Sequence, residues 1–499
     1  MKDPRAKLVD RLLPALRQEL FPRALDGGKP PLDRRVFVNR NLRLDKIRFI
    51  GFDLDWTLAD YDRAELDPLT FELARTFLVE QVGYPAAVRQ AEFRPGFPRR
   101  GLIVDRQVGT VLKMNRHRYV GRAYLGRTRL ASDDRFQYYR LEPIDLSSDR
   151  YYRVDTLFEL PEVNLFTELV ELGRRDPALV LGRGPQTIFD DVRHAVDSIH
   201  ANGWLKSRIT ADLARFIQRD DELPLALARL ALSGRRLFLV TNSDWAYTEA
   251  LCSHLFDGSL PGLGSWRELF DLVVASAGKP GFFRAERPFV PIAADGREGA
   301  EVAVPAWGGV YRGGSREGLM SLFDAPGEQV LYVGDHIYSD ILTSKRRNTW
   351  RTALVVRELE EELETGSRVA DDTRHLSALR EELSDLGRRM DDLRDVVTIA
   401  HRLGEDNHGA HDAAERLEAL KSQHRTLRQR SGELQERISR RCHPIWGSLF
   451  KQGSNRSLFA AQVAEFACIY TSRVSNFAHY GTDHYFRVVE DPVTHDLPS

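Results

Sequence analysis

The sequence predicts an α/β fold: a parallel sheet with helices on both faces, an inserted α+β region, and a helical hairpin near the C-terminus. Three observations predict it. Five short β-branched runs recur along the chain with helical stretches between them, the pattern of a parallel sheet. Four of those runs end in polar residues of catalytic type. Residues 358–440 then change to leucines spaced three and four apart.

Residues 1–46 read as a helical lead-in followed by an extended arm, Arg35 to Arg40. The first core strand follows at Ile47 to Phe52, with Gly51 admitting a close neighbour. It runs into Asp53-Leu54-Asp55-Trp56-Thr57. If the strand continues, Asp53 and Asp55 point the same way, because strand side chains alternate with a period of two. Two close carboxylates raise one another's pKa or take a cation between them. A hard metal, one carboxylate as nucleophile and the other as acid and base is one reading. A strand-end turn with two solvated aspartates is the other.

Residues 62–222 form a mixed insertion. Phe71 to Gln81 reads as helix, and 101–105, 109–114 and 119–125 read as short strands between turns. This part is basic, with Arg94, Arg99, Arg100, Arg106, Lys113, Arg116, Arg118, Arg122, Arg127 and Arg129. A solvated hairpin, or one facing a phosphorylated ligand, fits it better than a nucleic-acid surface. Phe189 to Asn202 is an amphipathic helix, with Val192, Ala195, Val196 and Ile199 as its apolar stripe. A second stripe carries Arg193, Asp197 and His200. By spacing alone that stripe is a surface ion pair worth about 0.2–0.5 kcal/mol.

The remaining core strands are 236–240, 272–274, 330–333 and 352–356. They lead into Thr241-Asn242-Ser243-Asp244, Ala277-Gly278-Lys279-Pro280 and Gly334-Asp335-His336-Ile337-Tyr338-Ser339-Asp340. In a parallel sheet these strand ends lie on one edge. The units expected are 1–61 (arm and start of the core), 62–222 (cap insertion), 223–357 (rest of the core), 358–440 (hairpin) and 441–499 (a tail packing on the core or a neighbouring subunit). In the hairpin one seam runs from Leu376 to Val397 and the other from Leu417 to Ile438, with a polar break at 404–409. Arms of about 26 residues would reach about 40 Å at 1.5 Å per residue.

Bulk properties narrow the function. Hydrophobic residues are 42% of the 499, charged residues 29%, and net charge is −1. No global field steers such a chain to nucleic acid or a membrane, and no apolar run is long enough to span a bilayer. Cys252, Cys442 and Cys468 fit no zinc spacing and suggest a reducing compartment, with the cytoplasm as the expected location.

Taken in order, Asp53 and Asp55, Thr241, Lys279, then Asp335 and Asp340 resemble the haloacid dehalogenase-like phosphatase superfamily. Phe52-Asp53-Leu54-Asp55-Trp56-Thr57-Leu58, Thr241 to Asp244, Gly313-Gly314-Ser315, 334–342, Val36 to Arg40 and Gly447-Ser448-Leu449-Phe450 resemble, more closely, the cytosolic purine 5'-nucleotidase (type II) family. The resemblance runs over roughly residues 34–480 and implies a Rossmannoid core with an inserted cap. It implies hydrolysis of IMP and GMP with Mg²⁺, and phosphoryl transfer to other nucleosides. Asp53 would attack phosphorus and form an aspartyl-phosphate, and Asp55 would be acid and then base. Thr241 would hold a phosphate oxygen beside Asn242 and Ser243, and Lys279 would neutralise charge. Asp53, Asp335 and the backbone carbonyl of Asp55 would hold Mg²⁺, with Asp340 behind them. Phe158 would stack on the base, and Arg193, Asp197, His200 and Lys206 would bind base and phosphate. In a largely desolvated pocket, Asp197 would accept from N1–H of a 6-oxopurine. Asp155 and Glu159 stand where the resemblance implies amides. The partners expected are a purine nucleoside monophosphate and further copies of the chain, as a dimer or tetramer assembled through the hairpin. A phosphatase on another phosphate ester and a non-catalytic scaffold are the competing readings.

Overall fold

The computed structural model describes residues 8–18, 28–139, 144–342, 349–404 and 408–488. Its centre is a nine-stranded sheet. Seven neighbouring strands are parallel, in the order Ile469–Thr471, Arg351–Val355, Val330–Gly334, Phe49–Phe52, Arg236–Val240, Leu272–Ala275 and Val310–Gly313. Phe37–Val38 and Phe289–Pro291 close the two edges antiparallel. The interior strands are buried along nearly their whole length, which is why they read as continuous apolar runs.

The sheet is therefore mixed α/β with a large parallel part. Three of its strands escaped the sequence pattern, Phe289–Pro291, Val310–Gly313 and Ile469–Thr471, while Phe37–Val38 falls within the expected extended arm. Such runs carry too few residues to display a period. The tail strand Ile469–Thr471 pairs with Arg351–Val355 and with the N-terminal arm, so the two ends of the sequence meet in the core.

Phe49–Phe52 lies centrally, between Val330–Gly334 and Arg236–Val240. Gly51 is required there: a Cβ would sit 2.4 Å from the Phe238 ring and 2.8 Å from Tyr332. Those rings join Phe49, Phe283, Phe289, Phe323 and Trp350 in one core cluster. The strand sets the backbone position of Asp53, whose N–H donates to Val333 O at 2.9 Å.

The insertion holds a five-stranded antiparallel sheet in the order Thr128–Arg129, Val120–Leu125, Thr110–Met114, Ile103–Asp105 and Tyr151–Arg153. Helices Arg63–Phe77, Leu160–Arg175 and Pro185–Ala201 accompany it. The first helix begins earlier than the sequence suggests, because Asp62 caps it by accepting from Ala64 N at 2.8 Å. The basic residues of this region divide: Arg116, Arg118 and Arg129 are exposed, but several others are not a solvated surface. Arg99, Arg100, Lys113 and Arg122 are 1–6% exposed, and Arg127 forks onto the buried Glu168.

Residues 361–455 make a compact unit of their own. Ala370–Leu403 and His408–Cys442 are helices of 34 and 35 residues, about 51 Å at 1.5 Å per residue. They exceed the expected arms because the helices run on past the apolar seams, the first to Gly404 in the left-handed conformation. Leu376, Leu379, Leu386, Leu427 and Leu434 are buried between them. The predicted break at 404–409 includes 405–407, which lie outside the described residues. Among the described residues, no helix is long and apolar enough to cross a membrane.

Candidate active site

The strand ends of the central sheet converge. The strand carrying Asp53 stops at Phe52, so Asp53 and Asp55 are not aligned by a continuing strand. Leu54 O instead accepts from the N–H groups of Thr57, Leu58 and Ala59, which makes a tight turn. Within it Trp56 has φ 57°, a conformation costly for a bulky side chain. Its ring, 1% exposed, is wedged against Tyr61 and Phe158, with centroids 5.1 and 5.8 Å away. The turn gives the two carboxylates different surroundings.

Asp53 is 8% exposed. Its Oδ1 meets Lys279 Nζ at 2.7 Å and accepts from Leu54 N at 2.8 Å. Lys279 also donates to Asp340 Oδ1 at 2.8 Å, and Asp340 accepts from His336 N at 3.2 Å. Gly334 makes room for this: a Cβ there would lie 2.6 Å from Asp340. Asp335 is held from the insertion. Arg100 Nη1 donates to its backbone carbonyl at 2.8 Å and stands 3.8 Å from Oδ2, and Thr156 Oγ1 donates to Oδ2 at 3.3 Å. Arg100 is itself fixed by Glu358 on the other side, at 2.5 Å.

Carboxylate oxygens of Asp53, Asp335 and Asp340 all lie within 4.8 Å of one another, and all three residues are buried. Burial pushes the Asp53 carboxyl well above the usual range, with Lys279 opposing and the neighbouring aspartates adding to it. Burial, opposed by Arg100, pushes Asp335 up to about 7. Lys279 is held protonated by Asp340 and Asp53 against its own burial. Asp53 and Asp340 thus share one ammonium, while Arg100 is divided between Glu358 and Asp335. An all-oxygen set short of positive charge fits a hard divalent cation.

Asp55 is placed differently. Its Oδ1 accepts from Tyr61 OH at 2.5 Å and its Oδ2 from Ser243 Oγ at 2.8 Å. Ser243 N in turn donates to Thr241 Oγ1 at 3.0 Å, and Thr241 is fully buried. Asn242 pairs reciprocally with the Lys279 backbone: its Oδ1 accepts from Lys279 N at 2.7 Å and its Nδ2 donates to Lys279 O at 3.1 Å. The post-strand loops at 241–243 and 279 are thereby locked together.

A cleft of about 580 Å³ opens above these groups, lined by Asp55, Ser243, Asn242 and Lys279 on the core side. Phe158, Arg193, Asp197, His200 and Lys206 line it from the insertion. The i, i+4, i+7 stripe of the Pro185–Ala201 helix therefore does face a cavity. Its residues differ in setting. Arg193 Nη1 donates to Tyr152 OH at 2.5 Å and to Glu162 Oε2 at 2.9 Å, while Asp197 lies 3.6 Å from its Nε. The Asp197 side chain is 66% exposed, so it is not desolvated as the sequence reading expected. Arg193 is drawn instead toward the buried Glu162 and Glu159. Burial, with Lys206 adding, lowers His200 to about 4, so its imidazole is neutral; it meets the Phe158 edge at 5.7 Å. Lys206 Nζ is 2.6 Å from Asp244, the cap of the Trp245–Phe256 helix.

Glu159 and Asp155, where amides were expected, pair locally, Asp155 with Arg153 Nε at 3.8 Å. Glu159 completes a capping box with Thr156, accepting from Thr156 N at 3.3 Å, and also accepts from Asp155 N at 2.7 Å and from Tyr152 OH. Residues that sequence reasoning passed over include Tyr61, Arg100, Tyr152, Glu162, Tyr247 and Glu358. Only Thr156-x-x-Glu159 carried a local signature. Arg100 was hidden in a basic run, and the others reach the site only through tertiary packing.

The 5' nucleotidase family model matches residues 36–498. The chain is 28% identical over 488 residues to the 5'-nucleotidase domain-containing protein 2 of Rattus norvegicus, covering 93% of this chain and 80% of that protein. It is 28% identical over 486 residues to the Homo sapiens protein of the same name, covering 93% and 85%. A 5'-nucleotidase domain-containing protein of Dictyostelium discoideum is 29% identical over 459 residues, covering 90% and 73%.

Proposed function

This chain belongs to the 5'-nucleotidase family and is a phosphoric monoester hydrolase of that kind; we propose that it cleaves purine nucleoside 5'-monophosphates, IMP and GMP foremost, through Asp53. The observation that carries the reading is the buried Asp53–Lys279–Asp340 chain, at the edge of a cleft whose opposite wall bears Phe158, Arg193, Asp197 and His200.

Asp53 attacks phosphorus in line, and the ester bond to the 5'-oxygen breaks to leave an aspartyl-phosphate. Asp55 gives its proton to the departing oxygen, then takes one from the water that cleaves the intermediate. Lys279 offsets charge on the nucleophile and the phosphate. Asn242 and Ser243 line the cleft beside the phosphate, and Thr241, buried behind them, would have to open to hold a phosphate oxygen. Asp53, Asp335 and the Asp55 carbonyl would hold Mg²⁺, with Asp340 completing the acidic cluster; when bound, the ion supplies positive charge to the phosphate oxygens. The order of these residues on parallel strand ends supports a haloacid dehalogenase-like core with the 62–222 insertion as its cap.

Phe158 offers a ring to the base, and Arg193 and Asp197 offer a donor and an acceptor matching O6 and N1–H of a 6-oxopurine. Adenine presents the opposite pattern and matches neither. Transfer of the phosphoryl group to a second nucleoside would need only that a 5'-hydroxyl replace water. The hairpin is the element we assign to assembly into a dimer or tetramer.

The test is phosphate release from all nucleoside monophosphates and from sugar phosphates, with Mg²⁺ and with EDTA. IMP and GMP are expected to lead and EDTA to abolish release. Preference for a sugar phosphate would replace the nucleotide reading with another phosphate ester, and no release from any ester would favour a scaffold.

A further inference from the structure

Asp55 sits on a turn, not a strand, yet the reaction proposed above asks its carboxyl to meet the 5'-oxygen and then a water at the same phosphorus. Something must hold it. The structure places two phenols behind it. Tyr61 OH donates to Asp55 Oδ1 at 2.5 Å. Tyr61 and Tyr247 hydroxyls are 2.9 Å apart. Tyr61 has one hydrogen and gives it to Asp55, so Tyr247 is the donor in the second bond.

Both phenols are anchored. Tyr61 is 2% exposed, pairs in register with Ile217, and packs its ring on Trp56 and Phe158. Tyr247 is 5% exposed, in the first turn of the Trp245–Phe256 helix, with Lys206 Nζ 5.2 Å from its ring centre. Burial first, and the nearby Asp55 second, push both hydroxyls up, so they remain neutral donors.

The two oxygens of Asp55 are thereby made unequal. Oδ1 is tied to the Tyr61–Tyr247 pair. Among the described residues Oδ2 meets only the Ser243 hydroxyl, which can turn its hydrogen away and accept instead. When Oδ2 carries a proton, Oδ1 is a carbonyl oxygen and still accepts from Tyr61. One donor thus serves both protonation states without rearranging.

We propose that Tyr61, backed by Tyr247, is the positioning residue of Asp55, holding Oδ1 throughout and leaving Oδ2 as the oxygen that exchanges protons. The proposal rests on the nucleotidase reading. In the first half-reaction the ester P–O bond breaks as the Oδ2 proton passes to the 5'-oxygen. In the second, the water oxygen bonds to phosphorus, the acyl-phosphate P–O bond breaks, and the water's proton passes to Oδ2.

The test uses the full chain and the Tyr61→Phe variant, which keeps the ring, with its melting temperature checked against wild type. First-turnover nucleoside release is measured from the preferred nucleotide and from its analogue with sulfur as the bridging 5'-atom. A thiolate leaves without needing a proton, so its release does not depend on Asp55 as acid. We expect Tyr61→Phe to slow the oxygen substrate at least tenfold and the sulfur substrate less than threefold. General acid–base catalysis commonly contributes about 10²–10⁴-fold, so a tenfold loss is within reach of mispositioning. Tyr247→Phe should show the same split more weakly, and the double variant should be no worse than Tyr61→Phe. Equal or larger loss on the sulfur substrate, or no loss on either, overturns the proposal. Absence of nucleotide cleavage by the wild-type chain would overturn the nucleotidase reading instead.

Discussion

Replacing Glu162 by Gln should stabilise this protein, and increasingly so as pH rises. Glu162 is 1% exposed, and its Oε1 has no hydrogen-bond partner among the described residues. Burial, partly offset by Arg193, pushes its carboxyl from 4.5 up to about 8. A folded-state value above the unfolded one means that the folded chain binds the proton more tightly. The stability from that proton is complete below pH 4.5 and is lost as pH rises through 8. At about 1.36 kcal/mol per pH unit, the loss is about 3 kcal/mol at pH 7 and about 5 kcal/mol above pH 8. Gln has the shape of the protonated acid, still accepts from Arg193, and does not titrate. Urea unfolding of both proteins at pH 4.5, 6, 7 and 8.5 isolates the effect, because other titrating groups cancel in the difference. The variant's advantage should be near zero at pH 4.5, grow through neutrality, and level off above pH 8. A difference that stays flat across this range would refute the placement of Glu162 as a buried acid that is neutral at physiological pH.

Asp53→Asn should leave the melting temperature within a few degrees of wild type yet reduce turnover to near background; retention of more than a small fraction would exclude the aspartyl-phosphate. Lys279→Met leaves the Asp53, Asp335 and Asp340 cluster without its ammonium, and breaking such a buried pair costs about 3–5 kcal/mol. Mg²⁺ should raise the wild-type melting temperature and EDTA should reverse the rise; no response to Mg²⁺ would argue against the cation site. Asp197→Asn should lower the IMP:AMP ratio of kcat/KM, by roughly three- to tenfold because the carboxylate starts exposed and loses less than a buried charge would; an unchanged ratio would return Asp197 to a surface pair with Arg193. Replacing 376–438 by a short Gly/Ser bridge should leave a folded core of reduced oligomer size by light scattering, and an unchanged assembly state would remove the hairpin from that role.

The sequence by itself determined the alternation of strands and helices, the apolar seams of the hairpin, and the residues Asp53, Asp55, Thr241, Lys279, Asp335 and Asp340 at strand ends. These were legible because buried parallel strands are continuous apolar runs, and because period and spacing are local properties of a chain. The stripe of Arg193, Asp197 and His200 was legible as a helix face for the same reason. What that face meets was not local. Only the tertiary structure decided that Arg193 turns to Glu162 and Tyr152, that Asp197 stays open to solvent, and that Asp55 stands on a turn gripped by Tyr61 and Ser243. The short strands 37–38 and 469–471 likewise have no period of their own: 469–471 exists because Arg351–Val355 offers an edge, and 37–38 because 469–471 offers the next. Arg100 makes the point most sharply. In the sequence it is one of ten basic residues in a run expected to be a solvated hairpin or one facing a phosphorylated ligand. In the fold it is buried between Glu358 and Asp335, which lie more than two hundred residues away. Charge pairing through space sets its role, and nothing in its neighbours along the chain encodes the partner.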